Sequence, residues 1–67
     1  MLLDDIELLV ARRPGLTEAQ IAHALFGPDA YQQRVNSTCR RLMRNGKVRR
    51  EGKGYQADPF RYFVVAR

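Results

Sequence analysis

Leu2, Leu3, Ile6, Leu9 and Val10 recur at helical spacing near the start of the chain. At roughly 100° per residue they fall within an arc of about 120°, the width of a stripe that faces a core. The pattern predicts a helix over residues 2–13. Arg12 and Arg13 stand where cations favour a helix C-terminus, and Pro14-Gly15 supplies the stop. Leu8 falls outside the stripe. Single exposed leucines are ordinary, but Leu8 joined in a patch with Leu9 or the C-terminal strand would mark a dimer contact. Leu16 is placed as a short bridge. Thr17 and Gln20 make a capping box that opens a second helix over residues 17–26, with Ile21, Ala22 and Leu25 on its inner face. Gly27-Pro28 ends it.

Asp29 and Gln32 repeat the capping pattern and open a third helix over residues 30–45. Val35, Cys39 and Leu42, at i, i+4 and i+7, define its inner face, flanked by Met43 and Tyr31. Asn45-Gly46 is a left-handed helix stop. Beyond Gly46 the period changes. Residues 47–51 alternate like a strand, Gly52-Lys53-Gly54 signals a turn, and Phe60 to Ala66 is an aromatic and β-branched run. The simplest pairing is an antiparallel hairpin over residues 47–66 with a long tip. The fold class is therefore α+β, mainly α: a three-helix bundle and a C-terminal β-hairpin in a single domain over residues 1–67. Tyr55, Phe60, Tyr62 and Phe63 read as cover for a small core.

A domain of 67 residues buries only about 60% of its unfolded surface. Its 45% apolar content argues for a folded unit. A core of this size leaves little room for a substrate pocket, so no enzymatic activity is expected. There is no Ser/His/Asp set and no pair of carboxylates in a plausible cleft. Gly52-Lys53-Gly54 lacks the following helix that a phosphate-cradling loop needs. His23 points away from Ile21 and Leu25 and reads as exposed. No Cys/His cluster has metal spacing, and no cofactor is expected. Cys39 reads as a small core hydrophobe. One thiol, early acids and no apolar run of about 18 residues lead to an expected cytoplasmic, nucleoid-associated location, away from membranes.

Charge then changes the picture. The segment from Arg34 to Lys53 holds eight of the 12 basic residues and a single acid, Glu51. The preceding segment is net acidic through Asp4, Asp5, Glu7, Glu18 and Asp29. Such segregation is the footprint of a domain that meets a polyanion. On the third helix, Gln33, Asn36, Ser37, Arg40 and Arg44 fall opposite the apolar face. Asn and Gln can pair with adenine in a major groove, and Arg with guanine. Arg41 and Lys47 add charge beside them. Arg49, Arg50 and Lys53 belong to the hairpin, where basic groups suit phosphate contacts or the minor groove.

The run from Val35 to Arg50 resembles the recognition-helix-to-wing segment of winged helix-turn-helix domains in small prokaryotic regulators. There an apolar i, i+4, i+7 set is followed by Gly, an apolar residue and Arg. Leu16 to Ala22 is similar to the start of that family's positioning helix. The resemblance spans nearly the whole chain. It implies a third helix in the major groove of double-stranded DNA and a wing on backbone or minor groove. Asn36, Ser37 and Arg40 match the base-facing positions, and Arg49, Arg50 and Lys53 match the wing. Two departures stand out: the Phe26–Tyr31 connection is long, and Cys39 replaces a larger aliphatic residue. The expected role is a small transcriptional regulator, with a second copy or another protein as further partners. Two other readings use the same residues. One is a winged-helix interaction module whose basic face meets an acidic protein. The other is an RNA or single-strand binder that stacks bases on Tyr55 or Tyr62.

Overall fold

In the computed structural model, residues 2–28 and 33–65 are described. They form three helices, α1 (Leu2–Arg12), α2 (Glu18–Phe26) and α3 (Gln33–Arg44), and three strands, β1 (Leu16–Thr17), β2 (Val48–Glu51) and β3 (Arg61–Val64). The strands make one antiparallel sheet in the order β1-β3-β2. The architecture is thus a small α+β domain. Among the described residues no helix is long and apolar enough to cross a membrane.

Local chemistry sets the element ends. Thr17 caps α2: the Gln20 N–H donates to Thr17 Oγ1 at 3.2 Å, and the Thr17 N–H donates to Gln20 Oε1 at 2.9 Å. Two otherwise orphaned donors are satisfied reciprocally. Because Thr17 is the cap, the helix proper begins at Glu18. The C-terminus of α3 closes through Gly46, whose φ of 73° is left-handed. Its N–H reaches Met43 O at 3.0 Å and the Lys47 N–H reaches Leu42 O at 2.9 Å, the paired bonds of a Schellman stop. The Asp29–Gln32 capping pattern and Tyr31 lie outside the described residues.

Leu16 does more than bridge. Together with Thr17 it pairs with β3, in the register Leu16↔Tyr62 and Thr17↔Arg61, so a third strand joins the hairpin. The hairpin itself is paired over a shorter length than its alternating pattern suggested, from Val48↔Val64 to Glu51↔Arg61. Its tip is held by Asp58. The Lys53 N–H donates to Asp58 Oδ2 at 3.2 Å, the Gly54 N–H to Asp58 O at 3.0 Å, and the Asp58 N–H to Tyr55 O at 2.9 Å. Gly54, with φ of 86°, lies against Phe60, and a Cβ there would run into the ring.

Among the described residues nine make the buried cluster: Ile6, Val10, Ile21, Ala22, Val35, Cys39, Leu42, Val48 and Tyr62. Each helix contributes its stripe, with Leu2, Leu3, Leu9, Leu25 and Met43 packed around it. Tyr62 is the largest of the fully buried side chains. Its hydroxyl donates to Glu18 Oε2 at 2.9 Å and receives a long contact from Arg50 Nη1 at 3.5 Å. A buried phenol needs such a partner for its polar end.

Burial pushes the Cys39 thiol up from 9.0 to about 12. Tyr62 also rises, from 10.0 to about 12, chiefly by burial, against the lowering effect of its Arg50 hydrogen bond. A raised native pKa means that the folded state holds the proton more tightly than the unfolded chain. The resulting stability is complete below the unfolded pKa and is lost as pH rises through the folded one. Urea midpoints measured from neutral pH to about pH 12 should therefore fall from near pH 9 upward. In Cys39→Ala the onset should move towards pH 10, and in Tyr62→Phe the decline should become shallower.

Candidate nucleic-acid interface

The inner face of α3 is fixed by Val35, Cys39 and Leu42, each with no exposed surface. Helical geometry then turns Gln33, Ser37, Arg40, Arg41 and Arg44 outward, and all five are exposed. Arg34, also exposed, stands beside them. No acidic residue occurs in the helix. Arg41 and Arg44 lie in its last turn, where the macrodipole favours cations. The face is thus a continuous basic and polar strip.

Asn36 sits differently. It lies on the flank of α3 beside Met43, is only half exposed, and its Oδ1 is closed off from solvent without a hydrogen-bond partner. Of the residues assigned to base reading, it is the one turned furthest from the centre of the strip. Arg34 was not among them. Its signal was present in the sequence, since Arg34 and Arg41 stand seven residues apart and so share one helix face. Both border a groove of about 610 Å³ between α3 and the start of α1, lined also by Leu2, Leu3, Gln33, Ser37 and Thr38. Thr38 Oγ1 donates to Arg34 O at 2.8 Å and so is spent locally.

The hairpin cations are less alike than their sequence suggests. In β2, Val48 and Arg50 turn towards the core while Arg49 and Glu51 turn out. The Arg50 guanidinium lies over the Phe60 ring, 3.7 Å from its centroid, and reaches the Tyr62 hydroxyl. Arg49 lies over Phe63 at 4.6 Å and pairs with Glu51. Lys53 is exposed at the tip, and Lys47 is half-buried beyond the α3 stop. So the structure gathers Gln33, Ser37, Arg40, Arg41 and Arg44 on one strip, and engages Arg49 and Arg50 with the sheet's aromatic residues.

Compared with family profiles, curated proteins and solved structures, the chain finds no match.

Arg50 and Arg44 should separate cleanly in stability. Stacked on Phe60 and bonded to Tyr62, Arg50 has a structural role, and Arg50→Ala should lower the unfolding free energy by about 1–2 kcal/mol. Arg44→Ala, on an open helix face, should change it by less than about 0.5 kcal/mol. Chemical denaturation of the two variants checks this.

Proposed function

We propose that the chain is a winged helix-turn-helix domain that binds double-stranded DNA and serves as a small transcriptional regulator. The observation that carries this reading is the α3 strip: Gln33, Ser37, Arg40, Arg41 and Arg44 outward, no acid, and a wholly apolar face behind. An α-helix fits the major groove, where Arg pairs bidentately with guanine and Gln with adenine. The α3 strip enters that groove, with Arg40 and Gln33 nearest the base edges and Arg34, Arg41 and Arg44 near phosphates. The hairpin lies along the backbone, and Lys53 makes its phosphate contact. Arg50 braces the hairpin from inside rather than meeting DNA. Asp4, Asp5 and Glu7 on α1 face away from the polyanion.

One observation favours a second reading. The α1–α3 groove has an apolar side at Leu2 and Leu3 and a cationic side at Arg34 and Arg41. That combination suits an acidic, partly apolar protein segment, so an interaction module remains the competing assignment.

Fluorescence anisotropy on a random duplex at two salt concentrations distinguishes them. DNA binding predicts measurable affinity at low salt that falls steeply as salt rises. No binding at low salt favours the interaction module. For a selected site, Arg40→Ala should cost about 1–3 kcal/mol and relax base preference at one position. Lys53→Ala should weaken all sequences alike and reduce the salt slope by about 1. Equal losses on selected and random duplexes for Arg40→Ala would remove it from base reading.

A further inference from the structure

The outward side of α1 is an organised surface that none of the other described elements covers. Ile6 and Val10 turn into the core. On the other side Asp4, Asp5, Leu8, Ala11 and Arg12 are all exposed. Leu8 is 52% exposed and Val65, just past β3, is 38% exposed. Leu8 borders a shallow groove of about 350 Å³ that Asp4, Glu7, Ala11 and Val64 also line. The apolar patch therefore runs from the middle of α1 onto the end of β3.

The order of residues along that side is self-complementary. Acids stand at its N-terminal end, a leucine and an alanine in the middle, and an arginine at its C-terminal end. We propose that this face of α1 is an isologous contact with a second copy of the chain, the two α1 helices crossing antiparallel at Leu8. A two-fold axis through Leu8 sets Leu8 on its own copy. Asp4, four residues before it, then faces Arg12 of the second copy, four residues after it, and the reverse pair forms by symmetry. Four residues along a helix span about 6 Å, so both ion pairs flank the apolar centre closely. A parallel arrangement would set acid against acid and arginine against arginine. Charge thus selects the antiparallel orientation.

The contact is independent of any nucleic-acid function. It also leaves the α3 strip uncovered, because α1 turns its inner face to the core that it shares with α3. A stable interface commonly takes about 800 Å² from each partner. That is about one sixth of the 4810 Å² that this domain exposes. One helix face and a strand end supply less, so the association is weak and salt-sensitive.

Sedimentation equilibrium of the intact chain, without nucleic acid, tests the contact up to about 1 mM protein. A concentration-dependent dimer is expected at low salt. Leu8→Glu should weaken it by about tenfold or more, since it places two like charges on the axis. Asp4→Arg and Arg12→Asp should each weaken self-association, with circular dichroism confirming that both still fold. Mixed together, those two variants should associate again. In the heterodimer one chain carries arginine at both positions and the other carries aspartate at both, so each ion pair re-forms. A single-chain mass at every concentration overturns the proposal. So does association that survives Leu8→Glu, which places the contact elsewhere, or a mixture that stays as monomeric as its components.

Discussion

A phenol at the centre of a small core creates a conflict that shapes much of this domain. The Tyr62 ring is the largest side chain among the fully buried ones. Its apolar area is valuable where total burial is limited, but its hydroxyl cannot be left without a partner. The Glu18 carboxylate meets it from the first turn of α2, and Arg50 meets it from β2. Tyr62 itself lies on β3 between β1 and β2. Satisfying one hydroxyl therefore fixes a helix start against the middle and one edge of the sheet. The constraint continues outward: Arg50, held at Tyr62, lies on Phe60, and Phe60 in turn fills the space where Gly54 lacks a side chain.

This arrangement divides a basic stretch that looks uniform along the chain. Arginines on α3 project from a helix whose opposite face is buried, and they keep their full reach. Those on β2 lie over aromatic rings, where they are held by ring faces and by neighbouring hydroxyl or carboxylate groups. Under the proposed function the two groups would do different work. The helical set would approach the polyanion, and the sheet set would make the hairpin stiff enough to present Lys53 at a defined place. An arginine that packs on an aromatic ring contributes through its contact area as well as its charge.

The helices were legible because their signals are local. The stripes Ile6–Val10 and Val35–Cys39–Leu42, the Thr17/Gln20 box and the Asn45-Gly46 stop each depend on neighbours within a few positions. What the chain concealed depends on distant partners. Nothing near Leu16 announces that it will pair with Tyr62, 46 residues on. The run from Phe60 to Ala66 carries aromatic residues on both of its alternating faces, so it did not say which of them would be buried. Glu18 counted along the chain only as one charge of the acidic segment, and the fold makes it the partner of the core tyrosine. For the candidate site, the outward direction of Ser37, Arg40 and Arg44 followed from helical period. The flank position of Asn36 also follows from that period once the core direction is known. The inward turn of Arg50 required the strand's alternation to be anchored at Val48.

Cys39 gives the protein a practical property. Thiols react through their thiolate, and this one has no exposed surface and is pushed up to about 12. The native chain is therefore silent towards maleimides and similar reagents while it stays folded. A cysteine introduced at an exposed position such as Lys53 would take a fluorophore or spin label alone, with Cys39 left in place. The position of the hairpin tip relative to α3 can then be followed spectroscopically in a protein whose core has not been altered for the purpose.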